Sequence, residues 1–113
     1  MKIPTILIAA GLAGALFTAT PTQAQSEGDI AGCATLGEYA EWVMEQRQQG
    51  TSLTIMLTTA SSAGEGAASG IVELAHDIIL LAYDEPRWHT ERMRKEAARD
   101  FRNNLEITCL RME

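Results

Sequence analysis

Residues 90–112, TERMRKEAARDFRNNLEITCLRM, decide the fold. Met93, Ala97, Phe101, Leu105 and Cys109 recur every four residues, which sets them along one stripe of a long and otherwise charged helix. Such a stripe has to pack on an apolar surface that the rest of the chain supplies. Cys109 is one of only two cysteines, and the other, Cys33, stands just before the next helical pattern upstream. A bridge between them would tie the two ends of the folded part together.

The N-terminus reads as an export signal. Lys2 gives a positive start, residues 3–17 (IPTILIAAGLAGALF) are apolar, and Thr22-Gln23-Ala24 fits the small-x-small rule for cleavage before Gln25. An apolar run of about 15 residues falls short of the roughly 20 that a bilayer span needs. Pro4, Gly11 and Gly14 weaken it further as a helix. Residues 1–24 are therefore expected to be a signal peptide, residues 25–32 (QSEGDIAG) a flexible leader, and residues 33–113 one helical domain. The product is expected in the periplasm or secreted, touching the membrane only through the signal before cleavage.

A domain this small has a marginal core, and a covalent staple helps it. In an oxidising compartment, a disulfide between the only two cysteines is the default. Ile30-Ala31-Gly32-Cys33 also imitates a lipoprotein processing site, although polar residues separate it from the apolar run. Lipidation of Cys33 would leave Cys109 unpaired, so the two readings exclude each other.

Charge is unevenly placed. Loss of Lys2, the only charge in residues 1–24, takes the net charge from −6 to −7. Residues 25–85 hold ten acids and only Arg47, whereas residues 86–113 hold seven bases and five acids. An acidic majority argues against nucleic acid, whose binding rests on neutralising phosphates.

Thr35 with Glu38 three residues later forms a capping-box pattern for the first helix, which Gly50 would stop. Leu36, Tyr39, Ala40, Val43, Met44 and Arg47 keep the helical period, and Trp42 falls beside the outer acids Glu38, Glu41 and Glu45. Thr51 or Ser52 can cap a short second helix over residues 53–60, and residues 61–70 (SSAGEGAASG) read as a flexible loop. Residues 71–83 form the most hydrophobic helix. Being apolar nearly all round, it is expected at the centre of a bundle. Asp84-Glu85-Pro86 ends it, and Thr90 caps the last helix.

No catalytic motif emerges. Glu73-x-x-His76 with Asp77 resembles half of the ligand set of a carboxylate-bridged di-iron bundle, but the second pair is missing and these residues share a polar face. Neither histidine neighbours a reactive serine or cysteine motif, and the cysteines lack C-x-x-C spacing. Arg92, Arg94, Lys95, Arg99 and Arg102 alternate with acids, which suits a salt-bridged solvated face. Trp42, Trp88 and His89 are the candidate interface residues, since exposed aromatics favour protein contacts.

Cys33, then Met44-Glu45-x-Arg47-Gln48-x-Gly50, Ala82-Tyr83-x-x-Pro86-Arg87, and Ala98-x-x-Phe101-Arg102-Asn103 ending at Cys109 form a combined pattern. In it the chain resembles a group of small exported proteins of bacteria and their prophages, a group with no assigned activity. The resemblance implies a Cys33–Cys109 bridge and a helical fold, and it brings no active-site residues. The segment SSAGEGAASG is longer than the loop it would lead one to expect.

The expected architecture is thus all-α: a small bundle of about four helices, the second short, stapled by one disulfide. The expected role is that of a non-enzymatic envelope protein, without cofactor, that binds another protein as an inhibitor or immunity factor. The alternative is a periplasmic stress holdase.

Overall fold

The computed structural model of the protein describes residues 25–112, and the signal-peptide expectation for residues 1–24 lies outside them. Four helices follow in order: α1 (Glu27–Gln49), α2 (Leu53–Ala63), α3 (Ile71–Tyr83) and α4 (Glu91–Met112). There is no strand among the described residues. The Cys33–Cys109 disulfide is formed, with the two Cα atoms 5.6 Å apart, so α1 and α4 are clasped at one end.

α1 begins eight residues before Thr35. Ser26 is its N-cap, its hydroxyl accepting from the Asp29 amide at 3.0 Å, and Glu27 and Asp29 place negative charge in the first turn where the helix dipole favours it. The expected leader is therefore largely helix. Thr35 lies inside that helix, and its hydroxyl donates back to the Ala31 carbonyl. Two tertiary ties hold these early turns: the disulfide, and Gln25 Nε2 donating to the Leu110 carbonyl at 3.1 Å. At the other end Gly50 adopts φ +91°, and the amides of Gly50 and Thr51 close on the carbonyls of Arg47 and Gln46. That left-handed closure is what a glycine permits.

α1, not α3, is the hub. It packs against both α4 and α3, while α2 packs on α3. Ala40, Val43 and Met44 of α1 are fully buried, and Gly37 lets α4 approach closely. A Cβ at position 37 would collide with the Glu106 side chain. α3 contributes Ile78, Ile79 and Ala82 to the core but leaves Ile71, Leu74, Leu80 and Leu81 between 43% and 52% exposed. It carries more apolar surface than its two neighbours cover.

On α4 the buried residues are Ala98 and Phe101, with Ala97 and Leu105 packed beside them. A strict four-residue spacing drifts by about 40° per step on a helix of 3.6 residues per turn. The buried edge therefore shifts off Met93 and onto Ala98.

α2 is capped by Ser52, whose hydroxyl accepts from the Ile55 amide, and runs on to Ala63 before Gly64 ends it. A Cβ on Gly64 would stand 2.5 Å from Val72 Cγ2, so a glycine is needed where α2 meets α3. Thr90 caps α4 by accepting from the Met93 amide at 3.1 Å. Arg102 bridges α4 to α1, reaching Glu41 at 2.9 Å and its own Glu106 at 2.8 Å. The pairs Lys95–Glu91 and Arg92–Glu96 are exposed and one turn apart, as the interleaved charges suggested, and contribute little.

Two phenols make the fold sensitive to alkali. Burial raises the Tyr39 phenol above its usual range. Burial also raises that of Tyr83, partly opposed by the Arg47 guanidinium, 5.2 Å from its ring centre. Tyr83 donates to the Thr51 carbonyl at 2.6 Å, a bond that exists only while the phenol keeps its proton. As pH rises past about 10, the unfolded chain loses these protons before the folded one does. The contribution is complete below that pH and is lost as pH climbs through the folded values. The melting temperature is expected to fall above about pH 10, and Tyr83→Phe to fall less steeply although it starts lower. Parallel alkaline slopes for the two proteins would refute the assignment to Tyr83.

Candidate functional site

Tyr39 and Trp42 stand three residues apart on α1, on the side that faces away from α4's burial stripe. Their rings lie 5.9 Å apart at an interplanar angle of 36°. Trp42 is 42% exposed and Tyr39 half-buried. Opposite them, Met56, Thr59, Ala60 and Ala63 of α2 and Ile71 and Ala75 of α3 complete a hollow of about 280 Å³. A second hollow of about 290 Å³ continues along α1 over Gly32, Thr35 and Leu36, with Leu74 and Ile78 of α3 on its far wall. Tyr39, Ile71 and Ala75 line both. The two hollows adjoin along α1 across this shared wall and together make the trough, roomy because Gly32, Ala60, Ala63, Gly64 and Ala75 are small.

No charged side chain lines the trough. Its side-chain polar groups are the hydroxyls of Thr35, Thr59 and Tyr39 and the indole N–H of Trp42. What it can do chemically is bury an apolar surface and offer a few hydrogen bonds at the edge.

The candidate residues fall in two places. Trp42 lines the trough. Trp88 is half-buried in the turn between α3 and α4, where its amide donates to Gln48 Oε1 at 2.8 Å and its carbonyl accepts from Arg94 Nε at 2.9 Å. His89 next to it is exposed. Neither Trp88 nor His89 lines the trough, and the only close aromatic pair among the described residues is Tyr39–Trp42.

His76 has an unexpected partner. Its Nε2 lies 3.0 Å from Ser61 Oγ and 3.2 Å from the Leu57 carbonyl. A carbonyl can only accept whereas a hydroxyl can do either, so the tautomer of the ring decides which of the two contacts is a hydrogen bond. The pair ties α3 to α2. Around Glu73, His76 and Asp77, no group of three or more metal-ligating side chains comes together among the described residues. No described helix is long and apolar enough to cross a membrane.

Sequence reasoning missed Ile71 and Leu74 as surface residues, because their apolar character assigned them to the core. Trp42 was visible as exposed from its place beside Glu38, Glu41 and Glu45. A disulfide-stapled helical protein, with four helices among the described residues and an apolar trough, is the class these features define. Compared with known proteins, the chain matches no family model, no curated protein and no solved structure.

Proposed function

We propose that this is an exported, non-enzymatic protein-binding module of the inhibitor or immunity type, which offers the trough between α1, α2 and α3 to a partner protein. The single observation that carries the reading is the trough itself: a contiguous apolar surface with an exposed tryptophan and a half-buried tyrosine. Its floor is α1, which is packed on α4 and clasped to it. Large aromatics set on a rigid frame are the anchors on which protein interfaces depend, because little conformational entropy is lost when they are covered. A disulfide suits an oxidising compartment, in keeping with the export signal read in residues 1–24.

The stress-holdase reading draws on the exposed Leu80 and Leu81, which lie outside the trough and would suit a loosely selective apolar surface. One experiment separates the two. A photo-crosslinking amino acid is placed at Trp42, and separately at Arg99 on the outer face of α4, in cells that export the protein. The binding module is expected to give one discrete adduct from position 42, displaced by excess wild-type protein, and none from position 99. A third crosslinker at Leu81 reports on the holdase, which a smear of many client masses there with no discrete adduct from position 42 would support, and identical patterns from positions 42 and 99 would end the trough's role.

A further inference from the structure

We propose that the partner surface seated in this trough is a basic amphipathic helix of about three turns. The inference rests on the protein-binding reading above and names the chemistry of what is bound.

Length comes first. The trough follows α1 from Gly32 to Trp42, a span of about 15 Å at 1.5 Å per residue, which matches about three helical turns. It is open along its side, so a helix can lie in it lengthwise with its apolar stripe down.

Charge decides the rest. Residues 25–85, which build the trough, contain ten acids and one base. That base is committed: Arg47 Nε donates to the Glu85 carbonyl at 3.0 Å, and its guanidinium sits over the Tyr83 ring. Of the ten acids only Glu41 has an ion-pair partner among the described residues, Arg102. Glu38 stands four residues before Trp42, one helical turn away, and is exposed, whereas Glu45, three residues after it, faces a separate hollow shared with Arg94 and Lys95 of α4. Glu65 follows Gly64 at one end of the trough, and Asp77 lies three residues beyond Leu74 on the far wall. The result is an apolar floor rimmed by negative charge.

Lysines and arginines flanking an apolar helical stripe complement that surface. Their long alkyl stems cover the walls while their heads meet the rim, and a cation near Trp42 gains from the indole face as well. Other occupants fit worse. A second copy docked by the same face would set the acidic rims against each other. An anionic membrane surface would be repelled in the same way.

The test uses the purified, oxidised protein and two labelled peptides of 14 residues. Both have the same leucine face; one carries lysine and the other glutamate at every polar position. Fluorescence anisotropy is expected to show the lysine peptide bound at least about tenfold tighter, with affinity falling as salt rises. Ile71→Lys places a cation on the trough's wall at an exposed helix start, and should weaken the lysine peptide by about tenfold or more with only a small drop in melting temperature, since a cation in a helix's first turn opposes its dipole. Glu38→Gln with Asp77→Asn should weaken it and flatten the salt dependence. Equal affinity for both peptides, no binding of the lysine peptide, or no effect of Ile71→Lys each overturns the proposal. So does a dimer in sedimentation, or binding to vesicles containing phosphatidylglycerol, that Ile71→Lys abolishes. If the lysine peptide fails while the Trp42 crosslink still gives its discrete adduct, only the partner's chemistry is wrong. If both fail, the protein-binding reading falls with it.

Discussion

Removing the Cys33–Cys109 bridge is expected to cost the protein more stability than any single side-chain change, about 4–5 kcal/mol as the upper figure of a chain-entropy argument. The bridge closes a loop of sequence separation 76, so the unfolded chain is strongly restricted while the bond lasts. For a small domain, whose whole stability is typically about 5–15 kcal/mol, that loss approaches the margin. The structure also says where the loss should show. Cys33 is buried where α1 and α4 meet, and the early turns of α1 contain Gly28 and Gly32, which hold a helix poorly. The Gln25–Leu110 bond at the same end depends on α1 and α4 staying together. The packing of Ala40, Val43 and Met44 with Ala98 and Phe101 lies further along and does not involve the bridge. The Cys33→Ala/Cys109→Ala double variant should therefore unfold at markedly lower urea. It should also lose amide protection over residues 27–33 and 105–112 before residues 40–48. A double variant within about 1 kcal/mol of wild type would show that helix packing alone holds this end.

How much of this was legible in sequence depends on what kind of interaction fixed each element. The bounds of α3 are set by punctuation on either side, Gly70 before and Asp84-Glu85-Pro86 after, and local signals of that kind are read directly. The same holds for the hydroxyl caps Ser52 and Thr90. The start of α1 was misplaced, because the Thr35–Glu38 pattern lies inside a helix that Ser26 caps. Ser26 wins over Thr35 through ties to α4 that no local window contains. The hub was missed for a related reason. Hydrophobicity reports how much apolar surface a helix has, whereas Gly37 and Ala40 matter for how closely a neighbour can come. Of the site, the exposure of Trp42 could be read from its acidic neighbours. The trough could not, since it exists only where α2 and α3 stop short of covering α1.

Gln48→Leu is expected to destabilise the protein by about 2–4 kcal/mol, the largest effect of any single polar substitution. Gln48 is 2% exposed and is the one fully buried polar residue among those described. Its amide is satisfied on every side. Nε2 donates to the Pro86 carbonyl at 2.9 Å and to Met44 Sδ at 3.4 Å, and Oε1 accepts from the Trp88 amide at 2.8 Å. A backbone carbonyl only accepts and a backbone amide only donates, so the orientation of the side-chain amide is fixed by its partners. These bonds fasten the turn between α3 and α4 to the end of α1, helped by Arg87, whose Nη2 donates to the Gln48 carbonyl at 3.3 Å. Leucine fills much of the same space but orphans the Pro86 carbonyl and the Trp88 amide, and unmade bonds of that kind cost more than made ones contribute. Gln48→Glu separates this account from one of shape alone. A carboxylate there faces the Pro86 carbonyl, whereas the protonated acid can donate to it, so the folded state raises the acid's pKa above its usual value of about 4.3. Stability relative to wild type should then be poorest at neutral pH and recover as pH falls through the folded value. Urea unfolding of both variants at neutral and mildly acidic pH checks this. If Gln48→Leu sits within about 0.5 kcal/mol of wild type, the turn is held by packing of Trp88 and not by the amide clamp.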